Sequence, residues 1–447
     1  MRVDMTIRGG MVLTMDEADT VFEHGLVAVT GDTISWAGNE ADAPEFLSSI
    51  TVDARGGIIS PGLINGHTHA AMSLFRGLAD DLPLMEWLNN YIFPVERRMD
   101  DDFVYAGTAL ACAEMILSGT TTFCDMYLFE KSAARAAREA GMRCVLGEVF
   151  YDFPSPNYGD IDSGFAYAEE MIEYWRDDPL VSIAVKPHAL YTCAPELLKR
   201  AGALARRHGL KLVTHVAETI SEIEEIHRRY RKTPFQHLND LGLLDDNLIA
   251  VHCVHLDEND ISLMAGAGVK VITTPESNMK LASGAAPVQR LINEGLTIGL
   301  GTDGCASNND QDMFSEMDTF AKLQKITTMD PTAAPAREVY RMATIDGADA
   351  IGMKSVTGSI AEGKKADIIV VRTDAPHMTP MYDPFSHLVY AANGGDVTHT
   401  IIGGRLVMEN RRLLSLDLGN VLEAAEEKKM AVKGWLKDVN KEKVKAA

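Results

Sequence analysis

Cysteine is scarce in this chain. The six cysteines (Cys112, Cys124, Cys144, Cys193, Cys253 and Cys305) are scattered through 447 residues with no C-x-x-C pair. That pattern excludes a disulfide framework and suits reduced thiols. Long apolar runs are missing too: no uncharged stretch reaches the ~18 residues that a bilayer crossing needs. The opening Met1-Arg2-Val3-Asp4-Met5 carries charges where a secretory leader would be apolar. Positive charge is in deficit. With 42 Lys and Arg against 64 Asp and Glu the formal charge is −22, which argues against nucleic acid and anionic membranes as partners. These absences together predict a soluble, cytoplasmic protein.

Hydrophobic residues make up 46% and charged residues 24% of the chain, enough apolar material for a sizeable core. Residues 1 to about 57 read as short strands and turns. Val12–Met15 and Leu26–Val29 are strand-like, and Gly9-Gly10 and Gly31-Asp32 supply turn chemistry. The other end echoes this with Ala366–Val371 and Ile401–Met408, whose Ile-x-Gly-Gly repeats Ile7 to Gly10. Neither end can make a sheet domain alone, so the expectation is one small β-sandwich built from residues 1–57 and 359–419.

Between the two ends strands and helices alternate. Eight short runs rich in β-branched residues end near His69, Phe123, Leu146, Val185, Thr214, Val251, Ile272 and Leu300. Helical stretches such as Ala133–Ala140, Gly164–Trp175, Pro195–His208, Ile220–Arg229 and Asp257–Ala267 separate them. The pattern predicts parallel pairing and an α/β fold, a closed (β/α)8 TIM barrel over residues 58–358. Residues 420–447, charged with interspersed apolar side chains, predict a surface helical tail that frays at its Lys-rich end.

In such barrels chemistry sits at the carboxyl ends of the strands. Those ends carry His67 and His69, His188, His215, His252 and Asp303, with Glu218 three residues after His215. Alternate residues of a strand share a face, so His67 and His69 point the same way. Three histidines and an aspartate, His67, His69, His215 and Asp303, suit one Zn²⁺, and Fe²⁺ fits the same donors. A cation there would bring the pKa of bound water toward about 7. Asp303 could then accept a proton, Glu218 could deliver one, and His252 could polarise the water or hold an oxyanion. Metal-assisted hydrolysis at an electron-poor carbon is the reaction class.

The segments Pro61–His69, Thr214–Thr219, Val251–Leu256 and Gly301–Gly304, in that order, resemble the mononuclear deaminase branch of the amidohydrolase superfamily. Thr274–Leu281 and Met72–Gly77 bring the likeness nearer to the 5-methylthioadenosine/S-adenosylhomocysteine deaminases, kin of the triazine chlorohydrolases. The resemblance spans nearly the whole chain. It implies a zinc-dependent aminohydrolase that turns adenine-type nucleosides into inosine-type products and ammonia, with a small purine nucleoside as substrate and a homo-oligomeric assembly. It matches His67, His69, His215 and Asp303 to metal ligands, Glu218 to the residue protonating the purine, and His252 to the one assisting water. Glu96 matches a carboxylate that binds the ribose hydroxyls, and His188 a purine contact; Trp87, nine residues before Glu96, is counted with the substrate-binding residues.

One departure bears on the substrate. Relatives acting on S-adenosylhomocysteine use arginines between the third and fourth strands to hold the substrate's carboxylate. Here only Arg176 lies between Phe150 and Leu180, which favours uncharged 5′-substituted adenosines such as 5′-methylthioadenosine. Guanine or a triazine is the alternative substrate. Lys186, placed where a related branch carries a carboxylated lysine, opens a binuclear cyclic amidase as a further one. His255 reads as a loop residue and Asp125 as structural.

Overall fold

Ile58–Pro61 is the seam of the molecule. Its first two residues pair in parallel with Met11 and Val12, and the whole strand pairs antiparallel with Ile368–Val371. The two ends of the chain thereby join into one nine-stranded sheet. Arg2–Leu13, Val21–Thr30, Thr33–Asn39 and Leu47–Asp53 lie on the N-terminal side. Ile368–Val371, Val397–Ile402, Arg405–Glu409 and Arg412–Leu413 lie on the other. The sheet folds over its own core, which includes Met5, Ile7, Val27, Ile59, Ile368 and Ile401. This is the expected small β-sandwich, made as a single hydrogen-bonded sheet.

Two expectations shift here. The change from sheet to barrel was placed at residue 58, but Ile58–Pro61 belongs to the terminal sheet and the first barrel strand is Leu63–Thr68. The two Gly-Gly pairs also differ. Gly403 and Gly404, with φ +54° and +71°, form the two-residue turn between Ile402 and Arg405, where both central residues need positive φ. Gly9-Gly10 is no turn: it lies inside the twelve-residue first strand, at a register shift that marks a bulge.

The computed structural model describes residues 1–446 apart from 79, 83–85 and 87, with side chains through Asp438. Trp87 therefore lies outside the described residues. The barrel strands are Leu63–Thr68, Thr120–Tyr127, Arg143–Phe150, Val181–Ile183 continued by Lys186–Pro187, Leu212–Val216, Leu248–His252, Lys270–Thr273 and Thr297–Leu300. All pair in parallel within two sheets. Single bridges close the ring, Val185 and Ala189 to Leu212 and His215 on one side, Thr68 to Asp303 on the other.

The second and third strands run four residues beyond the apolar runs that announced them, to Tyr127 and Phe150. Helix Asp101–Leu117, which periodicity did not reveal, is alanine-rich and buried on most sides, so it has no polar stripe to betray it. The C-terminal helix Leu418–Ala446 crosses it, with Val421 and Val432 buried and Trp435 5.6 Å from the Phe103 ring. Among the described residues no helix is long and apolar enough to cross a membrane.

Candidate active site

The strand ends converge as the parallel barrel demands. His67 and His69 leave the first strand on one face, His215 ends the fifth, His252 ends the sixth, and Asp303 follows the eighth. Asp303 donates its backbone N–H to the carbonyl of His67 (3.0 Å), which stitches the eighth strand's turn to the first strand. Its Oδ1 lies 3.5 Å from His67 Nε2 and 3.2 Å from His69 Nε2. His215 Nε2 lies 3.1 Å from His67 Nε2.

The outer nitrogens explain why the inner ones face one another. His69 Nδ1 donates to the Met126 carbonyl and His215 Nδ1 to the His188 carbonyl (2.7 Å), so each ring turns its Nε2 lone pair inward. Nitrogens this close repel unless a proton or a cation lies between them. Two overlapping groups, His67, His69 with Asp303 and His67, His215 with His252, have ligand atoms within 4.8 Å of one another. His67 Nδ1 is a buried atom with no hydrogen-bond partner.

Burial dominates the electrostatics. It pushes His67 down to about 3 and His215 well below its ordinary value, so both imidazoles are neutral donors. Burial acts downward on His69 as well, but the hydrogen bond and charge of Asp303 outweigh it and lift the ring to about 8. Burial works upward on Asp303, yet the hydrogen bonds from His67 and His69 win and keep it ionised, well below the carboxylate range. Imidazoles around one carboxylate are a donor set that fits a divalent cation.

A cavity of about 280 Å³ opens over this cluster. Glu218, His188 and Glu96 line it beside His69, His215, His252 and Asp303, so these seven predicted residues share one chamber. His67 is wholly buried next to it. Glu218 Oε2 lies 3.9 Å from His252 Nε2, and burial raises the Glu218 pKa. His252 Nδ1 is held by Thr274 Oγ1 (2.8 Å) and Asn278 Oδ1 (3.1 Å). His188 Nδ1 meets Thr192 Oγ1 at 2.8 Å, and burial pushes this ring down to about 3. Phe93, Tyr151, Phe153, Tyr191 and Leu281 form much of the apolar wall, with Tyr151 and Phe153 stacked 3.9 Å apart.

Lys186 is turned away from this chamber. Its ammonium donates to the carbonyls of Asp125 and Val145 and to Cys124 Sγ, and a lysine held on three acceptors does not reach in to bridge two metals. His255 binds the Ser283 carbonyl (2.8 Å) outside the cavity lining. Several residues of the chamber were missed from sequence. Tyr127, whose hydroxyl donates to Glu96 Oε1 (2.8 Å), lies in the extension of the second strand beyond its apolar run. Ser277 donates to Asp303 Oδ2 (2.6 Å); its segment served only as a family mark. Glu222 could have been found from the spacing Thr219-x-x-Glu222, a helix-start signature.

Residues 58–407 match the amidohydrolase family. A 5-methylthioadenosine/S-adenosylhomocysteine deaminase of Syntrophobacter fumaroxidans is 55% identical over 94% of this chain and 97% of its own. A 5′-deoxyadenosine deaminase of Methanothermobacter thermautotrophicus is 45% identical over 86% and 91%. Among solved structures, an adenosine deaminase from Xanthomonas campestris with bound zinc superimposes with a TM-score of 0.95 at 39% identity, covering 97% of this chain and 99% of that one. The chain belongs to the amidohydrolase family.

Proposed function

We propose that this protein is a zinc-dependent aminohydrolase that replaces the 6-amino group of adenine nucleosides with oxygen and releases ammonia. One observation carries the reading. Glu218 is a half-buried carboxyl facing the same cavity as the His67, His69, His215 and Asp303 cluster, beside those donors but not among them. A divalent ion held by the cluster would supply an activated water, its pKa brought toward about 7.

The chain's own residues do the rest. Asp303, kept ionised, accepts the proton of the attacking water and passes it to the amino group as the C6–N bond breaks, while the added hydroxyl returns its proton to Glu218. Glu218, its pKa raised by burial, delivers a proton to the ring nitrogen beside C6. His252, aimed by Thr274 and Asn278, steadies the oxygen that adds. Glu96, with one oxygen held by Tyr127, offers acceptors to the ribose hydroxyls, and His188 closes on the purine.

The 5′ end of the nucleoside would meet the apolar wall. No arginine or lysine lines the cavity among the described residues. Arg176 is exposed and bound to Glu173 at the end of its helix. This supports uncharged 5′ groups, as in 5′-methylthioadenosine or 5′-deoxyadenosine, over the amino-acid tail of S-adenosylhomocysteine.

The test is a panel of 5′-methylthioadenosine, 5′-deoxyadenosine, adenosine, S-adenosylhomocysteine, guanine and a chlorotriazine on zinc-loaded protein, read by ammonia and chloride release. Ammonia from the uncharged adenosines, abolished by a chelator and restored by zinc, is the expected result. Turnover of guanine or triazine alone would overturn it.

A further inference from the structure

Glu218 has the central proton-transfer role above, yet its carboxyl makes no hydrogen bond among the described residues; its nearest polar partner is His252 at 3.9 Å. Its position is therefore set from the backbone. That backbone is unusual. Ala217, just before it, has φ +57°, and His252 and Cys253 at the end of the neighbouring strand have φ +72° and +53°. Three non-glycine residues in the left-handed region, at adjoining strand ends, persist only where their surroundings over-determine them.

The surroundings are specific. The Ala217 carbonyl accepts N–H bonds from Val254 (3.0 Å) and His255 (2.9 Å), and Cys253 donates to the Val216 carbonyl (3.1 Å). The turns bearing Glu218 and His252 are thus laced together through Ala217. From the other side comes one side chain, that of Glu222, only 3% exposed; burial pushes its carboxyl up to about 8 against the pull of the peptide N–H bonds it accepts. Its Oε1 accepts the Ala217 N–H at 3.0 Å and its Oε2 the Glu218 N–H at 2.9 Å.

The local sequence explains the reach. Thr219 caps helix Ile220–Tyr230 and accepts the Glu222 N–H at 3.2 Å. In a capping box the third helical residue returns its carboxylate to the cap residue's own N–H. Here it extends further back, to the two peptides before the cap. The Ala217 and Glu218 N–H groups lie before the cap and are not among the helix's own open N–H groups, so this longer reach serves the turn.

We infer that Glu222 is a positioning residue for Glu218: the two oxygens of its buried carboxyl group clamp two consecutive peptides and so fix where the Glu218 carboxyl enters the cavity, an inference that rests on the proton-transfer role proposed for Glu218. The geometry requires two acceptors on one rigid group. Glutamine offers one acceptor and turns an NH₂ against the other peptide N–H. Aspartate is a methylene too short to span both.

A double-mutant cycle of Glu222→Gln and Glu218→Gln tests this, with kcat, KM, zinc content and thermal midpoint measured for each. E222Q alone should lower kcat by about 10- to 100-fold, the scale of a sub-ångström misplacement of a reacting group. KM and zinc content should stay near wild type. In the E218Q background, E222Q should cost less than about twofold, because the group it positions is gone. Equal losses in both backgrounds, or a loss matched by lost zinc or by unfolding at the assay temperature, would overturn the inference. If E222Q is unstable, the same cycle with Glu222→Asp, which keeps a carboxyl group near the helix start, decides by the same criterion. An E218Q enzyme of near-normal activity would sink the proposed function and the inference with it. A crippled E218Q combined with an additive E222Q sinks the inference alone.

Discussion

Two buried charged clusters in this molecule handle their polar atoms in opposite ways. Where the barrel meets the terminal sheet, Arg143 and Asp367 form a bidentate pair at 2.7 and 3.1 Å. The remaining valences are filled as well: Arg143 Nη1 donates to the Pro179 carbonyl (2.7 Å), and the Gly403 N–H donates to Asp367 Oδ1 (2.7 Å). At the barrel mouth, His67 Nδ1 has no partner and the Nε2 atoms of His67 and His215 face each other at 3.1 Å. A closed network of hydrogen bonds joins two layers; ligand-type nitrogens and a carboxylate converging on one point, with a buried ring nitrogen left unpartnered, mark a place for a ligand. The difference separates structure from function where burial alone does not, since both clusters are buried.

The mouth should break first in activity. Asp303→Ala removes the cluster's one carboxylate and leaves its imidazoles without an anionic partner. It should lower kcat by about 10²- to 10⁴-fold and reduce bound metal well below one per chain. A variant that kept both metal and turnover would erase the distinction between the two clusters.

The junction should break in stability instead. Arg143→Met leaves Asp367 as an unpaired buried charge, which costs about 3–5 kcal/mol. The double variant Arg143→Met/Asp367→Leu should recover much of that, since an apolar pair of similar volume replaces the ions. Neither change should alter kcat in the fraction that stays folded. Thermal or urea unfolding beside steady-state kinetics checks both statements. If Arg143→Met lost activity at full stability, the junction would prove to be coupled to the mouth.

The two regions also differed in how far the sequence disclosed them. Ligand residues at strand ends follow from a period of two and from the polarity of a parallel barrel, so His67, His69, His215, His252 and Asp303 could be placed before any coordinates. The Arg143–Asp367 pair could not, because its partners are 224 residues apart and neither lies in a pattern that marks a buried ion. The seam at Ile58–Pro61 was misplaced for a related reason. Its apolar residues suit a sheet strand and a barrel strand equally, and only pairing with Ile368–Val371 decides between them. Tyr127 stayed hidden because it reaches Glu96 from the part of its strand beyond the apolar run, whereas Glu222 left a trace in Thr219-x-x-Glu222 that marks a helix start and not a site.

Glu148 lies between the two extremes and sharpens the comparison most finely. It is buried, and it accepts hydrogen bonds from Glu130 N (2.9 Å), Phe129 N (3.3 Å) and Asn157 Nδ2 (2.8 Å). Burial still dominates those three donors and lifts its carboxyl from 4.5 to about 7. The sign follows from proton counting. Between pH 4.5 and 7 the folded chain holds a proton on Glu148 that the unfolded chain has lost, so the contribution to stability is full below 4.5 and falls as pH rises through about 7. Glu148→Gln is neutral at every pH and removes this slope. Relative to wild type it should therefore gain on the order of 2–3 kcal/mol between pH 5 and pH 8, seen as converging or crossing curves of thermal midpoint against pH. Parallel curves would mean that Glu148 is ionised throughout. Three neutral donors would then suffice to hold a buried carboxylate, and hydrogen-bond satisfaction alone, without a paired cation, would account for the quiet behaviour of the junction.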